Sequence, residues 1–296
     1  MRTTLIEWTE HTWNPFVGCS VHSAGCKNCY AMQQAFRIES FGTVPHYQGI
    51  TTKANGRRVW TGKISRASDR AMNKPRTIRQ PSLIFVNSMS DFFHGDADAA
   101  WQIEAMRVIE SCPDHTFQIL TKRPENIPKF SDRYGSPFPS NVWVGVTVEN
   151  GAVAWRIDAL KNADAAVRFV SFEPLIGPTG DLDLSGIHWA ISGGESGARS
   201  RECNPKWVRE IRDWCDLWDV PFFHKQWGDY RNNPIVFEGG GSISDAKAAD
   251  PFGKGGSLID GCPRKDWPHS FVASSPVADS QRATIASTLD GSISTL

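Results

Sequence analysis

Cys19, Cys26 and Cys29 stand within eleven residues, spaced C-x6-C-x2-C. Thiols this close together either oxidise to a disulfide or bind metal, and an odd number cannot close a disulfide set. Spacing alone leaves two metal centres open. One is zinc: His22 lies inside the loop and would complete a Cys3His tetrahedron with Cys19, Cys26 and Cys29. The other is a 4Fe-4S cluster, in which three protein thiolates leave one iron open to a small molecule. S-adenosylmethionine is a cofactor that chelates such an iron through its amino and carboxylate groups. Three unliganded loop cysteines are the plain alternative. Cys112, Cys203, Cys215 and Cys262 are scattered and read as buried or idle thiols.

The elements around the loop have a regular rhythm. A short strand before Gly18 leads into it, and a helix follows from Ala31 with Met32, Ala35 and Phe36 on one face. Apolar runs of strand length recur at 82–87, 115–120, 141–148, 167–172, 187–192 and 220–227. Helical patterns at 97–112, 153–162 and 205–218 alternate with them. Buried strands alternating with helices predict an α/β fold, a partial or closed (β/α) barrel of about six parallel strands. Residues 1–237 form this barrel domain. Residues 238–269 read as a small extension packed on it, with a flexible Gly239–Gly241 stretch and a hairpin near 255–261. Residues 270–296, rich in Ser, Ala and Thr, read as a flexible tail.

In barrels the chemistry sits where strands end. Here nearly every strand ends in polar groups, and six such ends are most simply explained by one lined cavity. Asp91, Lys122, Glu173 and Lys225 are the catalytic candidates. Asp91 and His94 are groups that could move protons, although a histidine beside Phe92 and Phe93 is as readily a packed residue. Ser88, Thr147, Glu149, Gly193, Gly194, Glu195, Ser196 and Arg199 are the cofactor-binding candidates. The Gly193-Gly194 pair lets backbone amides approach a ligand, and Glu195 would accept hydrogen bonds from an ammonium or ribose hydroxyls. Tight-turn packing explains the two glycines equally well. Lys225 and Arg199 suit a carboxylate, and Lys122 and Arg123 a phosphate.

Thirty-two basic and thirty-two acidic residues cancel, so net charge points to no partner. Locally, Lys53 to Arg79 holds nine basic residues against one acid, Asp69. Arg57, Arg58, Lys63, Arg66 and Arg123 are therefore the nucleic-acid candidates, with a solvated face as the alternative. No apolar run approaches the roughly 20 residues of a membrane helix, and the N-terminus lacks a signal-peptide core. The expectation is a cytoplasmic protein, monomer or homodimer, whose thiols stay reduced.

Several ordered motifs together resemble one family. They are Trp13-Asn-Pro with Gly18-Cys19, Gly25-Cys-Lys-Asn-Cys29-Tyr, Phe85-Val-Asn-Ser-Met-Ser-Asp91 and Val144-Gly-Val-Thr-Val-Glu149-Asn. Ser171-Phe-Glu173-Pro-Leu, Gly193-Gly-Glu195-Ser-Gly and Phe223-His-Lys225-Gln-Trp227-Gly complete the set. The chain resembles the phage-associated, three-cysteine family of uncharacterised proteins, from about Trp8 to Trp267. Members of that family look like divergent radical S-adenosylmethionine proteins. The resemblance implies that Cys19, Cys26 and Cys29 ligate a 4Fe-4S cluster after the first strand of a partial barrel. It also implies an electron donor such as flavodoxin or ferredoxin. Three features depart from the usual radical-enzyme pattern. Asn28 stands before Cys29 where an aromatic residue is usual, the aromatic here being Tyr30. The first cysteine gap is six residues rather than three, and Gly-Gly-Glu ends a late strand rather than the second.

The expected function is a radical enzyme acting on nucleic acid, by lesion repair in the manner of spore photoproduct lyase or by base modification. A radical enzyme on a small molecule or peptide is a second reading. A zinc-bearing, non-catalytic nucleic-acid-binding module is a third.

Overall fold

The computed structural model describes residues 4–274. Most of the expected tail, residues 275–296, lies outside the described residues. Seven strands form one parallel sheet: β1 (His11–Trp13), β2 (Leu83–Val86), β3 (Thr116–Thr121), β4 (Val142–Thr147), β5 (Val167–Phe172), β6 (Trp189–Gly193) and β7 (Phe222–Gln226). They lie in space in the order in which they occur in the chain, with β1 and β7 at the two edges. The sheet curls into a half-barrel, so the expected partial barrel is the architecture, with one strand more than six.

Strand alternation sorts side chains between two cores. Ile84, Val86, Phe117, Ile119, Val142, Val144, Val146, Val170, Phe172, Ala190 and Phe222 join the larger cluster beneath the helices. Their neighbours Leu83, Phe85, Trp143, Val167, Phe169, Trp189, Ile191 and Phe223 fill the inside of the curl. Both faces of a parallel sheet are covered, which is why these strands read as continuous apolar runs. The interior layer is tight at Gly145, where a Cβ would stand 2.5 Å from the Phe169 ring.

Helices α1 (Tyr30–Ser40), α2 (Ala99–Glu110), α3 (Ile127–Tyr134), α4 (Trp155–Lys161) and α5 (Pro205–Leu217) accompany the strands. The side chains of Asp98 and Asn204 cap α2 and α5, accepting from Ala100 N and Lys206 N. The periodicity did not reveal α3, whose eight residues are squeezed between Pro124 and the left-handed Gly135. An antiparallel hairpin, Thr51–Ala54 with Arg57–Trp60, is inserted between α1 and β2.

The C-terminal segment is part of the barrel. His224 N donates to Arg264 O (2.8 Å) and Asp266 N to Phe222 O (3.1 Å), so the chain after Pro263 runs antiparallel along the exposed edge of β7. Trp267 stacks on Trp189 with ring centroids 5.1 Å apart, and Phe271 packs edge-on against Trp143. Phe271 belongs to the last helix, His269–Ser274, so order continues past the expected boundary at 270. Lys265 Nζ meets Glu7 (2.9 Å), tying the two ends of the described chain together. The expected flexible stretch instead leads into a short helix, Ile243–Ala249, closed by a Ser242–Asp245 capping box. The expected hairpin forms from Leu258–Ile259 and Cys262–Pro263.

Candidate functional site

The polar strand ends do converge. Continuing the inward-facing alternation past the aromatic layer leads from Leu120 to Lys122, from Gly145 to Thr147, from Phe169 to Ser171 and Glu173, and from Phe223 to Lys225. Leu120, Lys122, Thr147, Ser171, Glu173 and Lys225 line one cavity of about 260 Å³. Cys19, Cys26 and Cys29 line it too, together with Ser88, Asp91, Arg123, Gly194, Glu195 and Ser196. Ile6, Trp8, Tyr30, Trp60, Phe85 and Leu120 give it an apolar wall. All three loop cysteines are free thiols.

The cysteine loop is fastened to the strand ends at three places. At the end of β3, the Arg123 guanidinium donates to Ser20 O (3.1 Å) and Ser20 Oγ (2.9 Å), and reaches Cys19 Sγ at 3.8 Å. Arg123 is itself held by Asp91 (3.0 Å), whose carboxylate also accepts from Thr121 Oγ1 (2.6 Å) and Lys122 N (3.0 Å). At the end of β4, Ser23 Oγ donates to Glu149, which pairs with Arg156 at 2.9 Å. Both residues of that pair are 1% exposed. Beyond β6, Glu195 accepts from Asn28 Nδ2 (2.8 Å) and is clasped by Arg201 (2.6 Å), which also donates to Ala24 O (2.8 Å).

These contacts revise several expectations. Glu149 and Glu195 were read as ligand acceptors, but their oxygens are engaged by Ser23 and Arg156, and by Asn28 and Arg201. Burial would raise both carboxyls, yet Lys122, Ser23 and Arg156 hold Glu149 below its usual value. Arg201 and Asn28 do the same for Glu195. The double glycine serves packing: a Cβ on Gly193 would meet Glu173 Oε1 at 2.5 Å, and Gly194 lies against the Trp227 carbonyl. Arg199 is exposed and offers Asn28 its carbonyl rather than a ligand its guanidinium. His22 lies 3.9 Å from Glu125 and is not among the residues of the cavity wall. Among the described residues, no group of three or more His, Cys, Asp or Glu side chains is arranged to hold a metal ion. A tetrahedral zinc brings all its sulfurs within about 2.3 Å of one point. In a cluster each thiolate binds its own iron, which asks less convergence of the loop.

His94 is a packed residue. Its Nδ1 accepts from Asp96 N (3.1 Å), so the proton sits on Nε2 and is donated to Ser20 Oγ (2.8 Å). Burial and Arg123 lower its pKa, keeping it neutral. Burial pushes the Cys19 thiol up to about 12, with Asp91 adding and Arg123 opposing, and burial also raises Cys29. A coordinating metal overrides such shifts, because it deprotonates thiols outright.

Four of the catalytic candidates meet in the cavity. Glu173 pairs with Lys225 (3.0 Å) and accepts from Trp8 Nε1 (3.2 Å). Asp91 pairs with Arg123, and Glu195 with Arg201. Lys122 is left as the cation of the cavity wall with no carboxylate within ion-pair distance among the described residues, its charge acting on Glu149 from further away. Asn87 is held at φ 61°; its Nδ2 donates to Phe16 O (3.0 Å) and to Ser90 Oγ, while its Oδ1 is buried without a partner.

Of the nucleic-acid candidates, Arg123 is buried in the site and Arg66 is clasped by Glu104 (2.5 Å) and Asp69 (2.7 Å). Lys63 donates to Gln48 O (2.9 Å). Arg57 is exposed, and Arg58 lies 3.2 Å over the Phe36 ring centroid. The residues that sequence reasoning missed are Trp8, Ser20, Ser23, Asn28, Trp60, Asn87, Arg156 and Arg201. Asn28 and Asn87 lay within motifs, but Arg156 and Arg201 carried no local signal.

Cys112, Cys203 and Cys215 are buried and Cys262 is exposed, as idle thiols would be. No helix among the described residues is long and apolar enough to cross a membrane. A family model described as "Protein of unknown function (DUF5131)" matches residues 3–293. No curated protein and no solved structure matches the chain.

Proposed function

We propose, for a chain that belongs to this family of proteins of unknown function, that the cavity holds a 4Fe-4S cluster on Cys19, Cys26 and Cys29, takes S-adenosylmethionine and acts on nucleic acid. The observation that carries this reading is the meeting of three free thiols with the polar ends of the strands in one cavity. When bound, the cluster and S-adenosylmethionine supply one-electron chemistry at an otherwise unreactive carbon–hydrogen bond.

The chain's own residues have separable tasks. Arg123, Glu149 and Glu195 fix the loop to three strand ends, so the sulfurs are positioned by the barrel and not by the loop alone. Arg123 donates toward Cys19 Sγ, a contact of the kind that tunes a thiolate ligand. Lys122 offers a cation to an anionic group of a ligand. Glu173 and Lys225 form a proton-bearing pair at the inner wall. The aromatic wall shields the chamber and presents faces on which a base can stack.

Anaerobic purification followed by iron and sulfide analysis tests the reading. The expected result is about four irons and four sulfides per chain, lost in Cys26→Ala, with S-adenosylmethionine cleaved only by the iron-loaded protein. Zinc without iron or acid-labile sulfide would establish the zinc module instead. Iron-dependent cleavage with no retention on nucleic acid would favour a small-molecule or peptide substrate.

A further inference from the structure

We infer that the inserted hairpin Thr51–Ala54/Arg57–Trp60 is a guide rail for a nucleic-acid strand, carrying its phosphates on Lys53, Arg57 and Arg58 at the cavity rim. The inference rests on the nucleic-acid part of the function proposed above.

The argument begins with the turn. Asn55 (φ 50°) and Gly56 (φ 71°) are both left-handed, which makes a two-residue primed turn and fixes the register of the hairpin. In that register Thr51 faces Trp60 and Lys53 faces Arg58. Residues two apart on a strand share a face, so Trp60, Arg58, Thr51 and Lys53 lie on the side turned to α1. There Thr51 Oγ1 meets Glu39 and Arg58 covers Phe36, while Arg57 lies on the opposite, open side. Trp60 is in the cavity wall, and Lys53 and Arg58 lie one step of roughly 7 Å further out. The hairpin is thus a track running out from the cavity, with Lys53 and Arg57 exposed toward its tip on its two sides.

The track is built against its own stability. Like charges placed directly across two strands repel, yet Lys53 and Arg58 are paired in this way. No acid occurs from Phe41 to Ser68 to relieve them. The nearest carboxylate on the underlying helix, Glu39, is occupied by Gly49 N (2.7 Å) and Thr51 Oγ1 (2.5 Å). Lys53 and Arg57 are exposed and have no acidic partner among the described residues. Arg58 lies over the Phe36 ring, which limits how far its guanidinium can swing. An incoming polyanion removes the repulsion. The aromatic side chains that follow at the inner end of the track, Trp60, Tyr30 and Trp8, favour a strand with stackable bases over an acidic peptide.

Fluorescence anisotropy with a fluorescein-labelled 20-mer tests this, as single-stranded DNA, single-stranded RNA and duplex DNA, between 50 and 200 mM salt. The iron-loaded full chain is compared with Lys53→Gln/Arg57→Gln, whose side chains make no hydrogen bond or ion pair among the described residues, and with the triple variant that adds Arg58→Gln. Each phosphate contact to a single strand contributes about −0.7 to the slope of log K against log salt. The expected result is single-strand binding whose slope becomes shallower by about 1.4 in the double variant and about 2 in the triple, with affinity reduced more than tenfold at 100 mM salt. Preference between the DNA and RNA strands identifies which nucleic acid is guided. Binding with unchanged affinity and slope in both variants overturns the rail and leaves the proposed function standing. Failure of the wild-type chain to bind any oligonucleotide overturns the rail and the nucleic-acid reading together. Equally tight binding of poly-glutamate overturns the assignment of the track to nucleic acid.

Discussion

Glu149 and Arg156 show what a single pair of residues does here. Both are buried, and the pair stands between β4 and the cysteine loop through Ser23. Removing one member of such a pair leaves an uncompensated charge in the interior and costs about 3–5 kcal/mol. Arg156→Met is therefore expected to lower the free energy of unfolding in urea by that amount. With the cluster proposed above, iron content should fall with it. Glu149→Gln/Arg156→Met should recover part of the loss, since neither charge is then buried alone. Stability and iron content both unchanged in the single variant would mean that the pair does not hold the loop. The sequence marked Glu149 as chemically interesting because it ends a strand, but misjudged its role. Ser23 and Glu149 are 126 residues apart, and Asn28 and Glu195 are 167 apart. Such pairings depend on how the strands are laid side by side, which no local pattern carries.

The strands themselves were far more legible. Apart from β1, whose His-Thr-Trp holds no apolar run, each follows a largely apolar run bounded by polar residues, because helices cover one face and aromatics the other. The helix α3 was hidden, since eight residues between a proline and a glycine hold too few turns to display a period. The hairpin showed only as a basic, irregular stretch, its Asn-Gly turn unremarked. Interior layering was also hidden, and it carries a prediction. Gly145 lies between Leu120 and Phe169 in the register, and the Phe169 ring covers it. Gly145→Val has to push that ring aside, at a cost of about 1–3 kcal/mol. Thermal unfolding of this variant should show a lower Tm, partly restored by adding Phe169→Leu. A Gly145→Val protein as stable as wild type would mean that the inner layer has slack that the geometry does not show.

Across the whole molecule, burial leaves a signature in pH dependence. Six histidines, His11, His22, His46, His94, His188 and His224, have pKa values below 6.5, with burial the largest cause in each. In the unfolded chain they take up protons near 6.5, whereas in the folded chain they do so only at lower pH. The unfolded state then binds more protons, so stability declines as pH falls below about 6.5. Glu149 and Glu195 act lower down: their depressed pKa values add stability above the ordinary carboxylate range, which is lost as pH falls through it. Urea midpoints should hence drop between pH 8 and 5.5. His224→Gln should flatten that slope, because His224 is wholly buried against Ser192 and Trp227. Equal midpoints at the two pH values would contradict the burial of these imidazoles.

The match between spatial and chain order of the strands has a consequence for synthesis. A sheet whose every new strand docks beside the last one made can grow while the polypeptide is still emerging from the ribosome. Only the final seam breaks this rule: the backbone groups along β7 stay open until the stretch around Lys265 arrives. A nascent chain stalled before that stretch presents a ready template for pairing with another chain, the kind of sticky margin that quality-control factors recognise.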